Sequence, residues 1–138
     1  MNLSDGKCHL CRDRNNFENL EHLFFRCSMS KIIIKEIEEI FKISGILDDL
    51  IISEENMILG VIKGTFNQTN IVNTVIFYSK WEIWKFRNKI KYDKIPIQNN
   101  SFMSFWRNGL KNNLSLLLKT TTCNNEDKQT IQSLLTVL

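Results

Sequence analysis

The sequence predicts a mostly α-helical domain of about four helices, with a small knuckle of cysteines and histidines packed at its amino end. Three observations carry that expectation. One proline and five glycines in 138 residues are too few for the tight turns of a many-stranded sandwich or barrel. Apolar residues recur at helical spacing through much of the chain, and a hydrophobic content of 43% supplies material for a core. Residues 8–27, CHLCRDRNNFENLEHLFFRC, hold three cysteines and two histidines, whereas the rest of the chain holds one cysteine and no histidine. The length suits one ordinary domain, divided here into a knuckle over residues 1–28 and a helical body over 29–138 that includes a basic helix near 70–92.

The knuckle reads as metal chemistry. Cys8 and Cys11 stand at the spacing that lets a tight turn of backbone aim two thiolates at one cation, and His22 with Cys27 forms a second pair. Three cysteines and one histidine make a closed tetrahedral set for Zn2+, with no open position for water, so the expected role is folding rather than hydrolysis. Leu23, Phe24 and Phe25, between the last two ligands, can pack the knuckle on the helices. Two other readings stand beside this one: a redox Cys-x-x-Cys pair, which lacks a thioredoxin-like βαβ pattern around it, and plain buried thiols. His9 is an alternative to His22, but its adjacency to Cys8 is awkward for a tetrahedral site. Cys123 reads as an inert thiol.

The helices follow in order. SMSKIIIKEIEEIFKISG puts Met29, Ile33, Ile37, Ile40 and Phe41 on one face and Lys31, Lys35, Glu38 and Lys42 on the other, with Gly45 placed to stop it. Residues 46–68 contain short apolar runs and two glycines, and are expected to hold a short helix with loops. TNIVNTVIFYSKWEIWKFRNKIKY begins at a Thr69 or Asn70 cap, runs without Gly or Pro toward Pro96, and should be the longest helix. Phe102, Met103, Trp106, Leu110, Leu114 and Leu117 mark the next, with Trp106 in the core, and a last short helix follows an Asn124 or Asn125 cap.

Charge is unevenly distributed. Residues 31–69 carry four basic and seven acidic side chains, while residues 70–123 carry nine basic and two acidic, a local surplus of +7 within a chain whose net charge is +3. That surplus suggests a polyanionic partner, against the plainer reading of a solvated helix face. On the long helix, Lys80, Trp84, Arg87 and Lys91 share one stripe, and Val72, Val75, Ile76, Ile83, Phe86 and Ile90 share another that should face the core. Cations neutralise phosphates and an exposed indole can stack on an unpaired base, so the first stripe is the candidate nucleic-acid surface. The competing expectation is that Phe77, Trp81 and Trp84 form a second packed face.

CHLCRDRNNFENLEHLFFRCSMSKII, followed by ILG and by IFYSKWEIWKFRNK, resembles the zinc-binding region in the carboxyl-terminal part of non-LTR (LINE-like) retrotransposon reverse transcriptases. Cys8, Cys11, His22 and Cys27 match that family's ligands, Glu21 to Phe24 match its EHLF core, and Ile83, Trp84, Lys85 and Arg87 match its later Ile-Trp-Lys-x-Arg motif. The resemblance spans about residues 8–95. It implies a zinc-stabilised domain that binds template RNA or target DNA, beside the remainder of a reverse-transcriptase polyprotein, in the nucleus or cytoplasm. It also allows a tail of a longer protein, a degenerate copy or a piece serving a host.

Other classes fit less well. No YxDD polymerase motif is present, and no cluster of His, Asp and Glu is left for metal-dependent cleavage, so no catalysis is expected of this segment. The opening MNLSDGKC has no basic-then-apolar leader, and no run of about eighteen apolar residues occurs, so neither secretion nor membrane contact is expected. A protein-interaction module docking on a polymerase or host factor is the surviving alternative, and it would give weight to the acidic 36–55 region.

Overall fold

The computed structural model describes residues 8–11, 18–93, 99–120 and 124–138. Among the described residues the chain is mostly helical and has no strand. A single π-helical turn, His22–Arg26, leads into α1 (Ser28–Ile43), followed by α2 (Glu54–Leu59), α3 (Thr69–Asp93), α4 (Asn99–Leu118) and α5 (Asn125–Val137). The four longer helices are those the apolar periodicity marks. Pro96 and Cys123 lie outside the described residues.

Each helix forms for a visible local reason. α1 buries Met29, Ile33, Ile37, Ile40 and Phe41 and exposes Lys31, Lys35 and Lys42, then ends into Gly45 at φ 75°, a left-handed conformation that favours glycine. Glu38 departs from the expected solvated face, since its carboxylate accepts the Ile52 N–H at 2.8 Å and ties down the chain leading to α2. α2 is closed by a reciprocal cap: Ser53 accepts from the Asn56 N–H at 3.1 Å, and the Asn56 side chain accepts from the Ser53 N–H at 3.0 Å. At the start of α3, Thr69 donates its hydroxyl back to Phe66 O at 2.6 Å, and the Val72 N–H takes Gln68 O. α5 starts where Asn124 accepts the Asp127 N–H at 2.8 Å.

α3 is the central element and touches α1, α2, α4, α5 and the π-turn. Its buried stripe contains Val72, Val75, Ile76 and Ile83, with Phe86 and Ile90 partly buried beside them. Trp106 of α4 is fully enclosed and donates its indole N–H to Ser79 Oγ of α3 at 2.8 Å, so the one polar atom of a large core side chain has a partner. Phe86 and Phe102 stack with ring centroids 4.4 Å apart. α4 can lie this close because Gly109 faces Tyr78: a β-carbon at Gly109 would stand 1.8 Å from the tyrosine hydroxyl. Leu10, Leu23 and Cys27 belong to the same contiguous core as these helices. No helix among the described residues is long and apolar enough to cross a membrane.

Candidate metal centre

The four cysteine and histidine positions converge. One donor atom from each of Cys8, Cys11, His22 and Cys27 lies within 4.8 Å of the others, and all four residues are buried. Cys8 Sγ stands 3.8 Å from Cys27 Sγ, and Cys11 Sγ stands 3.4 Å from His22 Nε2. Around a four-coordinate ion with sulfur bonds of ~2.3 Å and a nitrogen bond of ~2.0–2.1 Å, tetrahedral edges are about 3.8 Å between sulfurs and about 3.6 Å between sulfur and nitrogen. The Cys8–Cys27 and Cys11–His22 distances suit such an ion, which these residues could hold. His9 is not among the four.

Local backbone structure puts the donors there. Asn19 accepts the His22 N–H on its side chain at 2.7 Å and the Leu23 N–H on its carbonyl at 2.9 Å, which starts the π-turn at His22. The turn closes when the Cys27 N–H reaches His22 O at 2.7 Å, a five-residue bond between two of the four donors. Cys27 then stands at the N-cap of α1, where its carbonyl accepts the Lys31 N–H at 2.9 Å. Ser30, fully buried, donates its hydroxyl to Leu23 O and binds the first turn of α1 to the π-turn. Leu10 and Leu23 are buried in the same core cluster as Cys8, Cys11 and Cys27.

The sulfurs are electrostatically paired. The Cys8 thiol is pushed down to about 4, first by the hydrogen bond from Cys27, with the Cys11 and Leu10 backbone amides acting in the same direction against burial. Cys27 is pushed up by that same bond and by burial. The opposed shifts are one interaction seen from both ends, the 3.8 Å contact between two buried sulfurs. A cation bound among them would favour the thiolate forms.

The candidate nucleic-acid stripe is distributed differently from its sequence expectation. Arg87 is fully enclosed: its Nε donates to Glu18 Oε1 at 2.9 Å, its NH1 donates to Asn88 Oδ1 at 2.7 Å, and its guanidinium lies 5.4 Å from the Trp84 ring centre. Lys80 is half-buried, donates to Ile58 O at 3.1 Å and lies 5.0 Å from the Phe24 ring; that burial pushes its ammonium down. Trp84 is partly buried against the core. Lys91 sits 5.1 Å from the Tyr92 ring. Tyr92 is exposed, and its phenol is pulled down by a hydrogen bond from Arg87 and by Lys91.

Two residues at this end were not legible as contributors. Glu18, the counterion of Arg87, lies in the spacer between Cys11 and His22, where nothing local marks it as buried. Trp81, expected in a packed face, is 56% exposed, because the helix turns it toward the open side of α3 while Trp84 takes the covered one. Compared with protein-family models, curated proteins and solved structures, the chain has no significant match.

Proposed function

We propose that this chain is a zinc-stabilised nucleic-acid-binding domain of the kind found in non-LTR retrotransposon reverse transcriptases, with Cys8, Cys11, His22 and Cys27 on one Zn2+ and no catalysis of its own. The observation that carries the metal reading is the buried three-sulfur, one-nitrogen cluster, a donor set that suits zinc and leaves no position for a reacting water. Residues 1–7 and 12–17 of the expected knuckle lie outside the described residues. Binding of RNA or DNA is supported by the resemblance of the Cys/His and Ile-Trp-Lys-x-Arg segments and by exposed Lys85, Lys89, Lys111 and Lys119 on and just after α3 and α4. The setting is intracellular, nuclear or cytoplasmic, with the remainder of a reverse-transcriptase polyprotein as a natural neighbour.

A second reading, a zinc-stabilised protein-interaction module, is favoured by one observation: Ile51, Leu59 and Ile62, around α2, are 80%, 71% and 77% exposed. Titration of the metal-loaded chain with labelled RNA and DNA at two salt concentrations separates the two. Nucleic-acid binding predicts an affinity that falls steeply with salt. No binding at low salt would reject it in favour of the interaction module.

A further inference from the structure

α3 and α4 leave an open groove between them, lined by Tyr78, Trp81, Lys85, Phe105, Asn108 and Asn112. Two aromatic rings stand exposed there, Trp81 at 56% and Phe105 at 66%. Each has an ammonium group near its ring: Lys85 Nζ is 5.8 Å from the centre of Trp81, and Lys89 Nζ is 5.6 Å from that of Phe105. The acid in the groove, Glu82, is engaged by Lys85 at 2.6 Å and lies against the Tyr78 phenol. Gly109 contributes no side chain to the wall, so the groove stays open along Tyr78.

We propose that this groove is a binding site for single-stranded nucleic acid, with bases stacking on Trp81 and Phe105 and phosphates meeting Lys85 and Lys89. The inference rests on the nucleic-acid reading above and relocates its contact surface from the Lys80–Arg87 stripe to the α4-facing side of α3. Three features select the ligand. Exposed rings flanked by cations suit a polyanion that carries flat apolar rings. Asn108 and Asn112 each offer a donor and an acceptor, the pair of groups that base edges present when unpaired. Stacking needs bases out of a duplex, so single strands are favoured over paired ones. An apolar protein segment suits the groove less well, because Glu82, Lys85, Asn108 and Asn112 are part of its lining.

The test uses the full metal-loaded chain and fluorescence anisotropy with labelled oligouridylate, oligothymidylate and a DNA duplex. Parent protein is compared with Trp81→Ala/Phe105→Ala and with Lys85→Gln/Lys89→Gln, after metal content and helical circular dichroism show each variant folded. The aromatic variant should lose roughly tenfold or more of its single-strand affinity per ring and keep its duplex affinity. The lysine variant should lose affinity for every sequence and flatten the salt slope by about one unit per lost contact. If the parent binds single strands and the aromatic variant binds them equally well, the groove assignment is overturned while the nucleic-acid reading stands. If the parent binds no oligonucleotide at low salt, both fall. Displacement of bound oligouridylate by an equal concentration of poly-glutamate would assign the groove to acidic protein segments and overturn the proposal.

Discussion

Arg87 of α3 and Glu18, separated by 69 positions in the chain, form an ion pair whose side chains are 1% and 0% exposed. The pair joins the segment between Cys11 and His22 to the central helix. It ties Glu18 to α3 whether or not Arg87 ever meets a phosphate. A buried charge left without its partner is costly, so Glu18→Ala should destabilise the fold by ~3–5 kcal/mol in urea or guanidinium unfolding. The double replacement Glu18→Leu/Arg87→Met should recover most of that loss. A loss below about 1 kcal/mol for the single variant would mean that the pair is open to water.

Trp106 and Ser79 make a second buried polar contact. Ser79→Ala leaves the indole N–H without an acceptor inside the core, at a cost of ~1–3 kcal/mol. Trp106→Ala should cost more, ~3–5 kcal/mol, since a whole buried ring is lost. Denaturant midpoints for the two variants check both the sizes and their order.

Gly109→Ala gives a test in which two effects have opposite signs. Alanine is the better helix former by about 1 kcal/mol, so an unconstrained position would gain stability. Here the new methyl group meets the Tyr78 hydroxyl, and the expected result is a loss of ~1–3 kcal/mol. Adding Tyr78→Phe to Gly109→Ala should recover part of it, because the nearest atom is removed while the next ring carbon still stands 3.0 Å away. A thermal shift upward in Gly109→Ala alone would contradict the α3–α4 packing.

Tyr78 also predicts a pH dependence. Burial first, then the charge and hydrogen bond of Glu82, push its phenol above the ordinary value of about 10. The unfolded chain therefore loses that proton at lower pH than the folded one. Stability from this group is present below about pH 10 and declines as pH rises beyond it. Parent and Tyr78→Phe should differ little in their pH dependence below about pH 10 and diverge as pH rises above it, with the parent falling more steeply.

The four longer helices were legible because each repeats apolar residues at helical spacing: Met29, Ile33, Ile37, Ile40 and Phe41 all fall on the buried side of α1. The convergence of Cys8, Cys11, His22 and Cys27 was legible for a different reason, since rare side chains crowded into one segment point to a shared site. Arg87 and Lys80 were not. Arg87 was placed on a stripe apart from the core-facing one, yet it is buried with Ile76, Ser79 and Ile83; burial of a cation depends on a carboxylate or carbonyl brought from elsewhere, Glu18 for Arg87 and Ile58 for the half-buried Lys80. Trp81 and Trp84 are three positions apart and chemically alike, so periodicity alone could not say which would be covered; α3's neighbours decide it. The π-turn likewise needs the bond from Cys27 to His22, which nothing in HLFFR marks in advance.

The central claim is that Cys8, Cys11, His22 and Cys27 fold around one zinc ion, and metal analysis of freshly purified, tag-free chain tests it most directly. About one zinc per chain is expected, with Cys11→Ser and His22→Ala losing it and melting at lower temperature, because binding energy at a structural site is folding energy. Chelation of the parent should lower its melting temperature in the same way. Absence of zinc from the parent, or full occupancy retained in Cys8→Ser, would contradict the assignment.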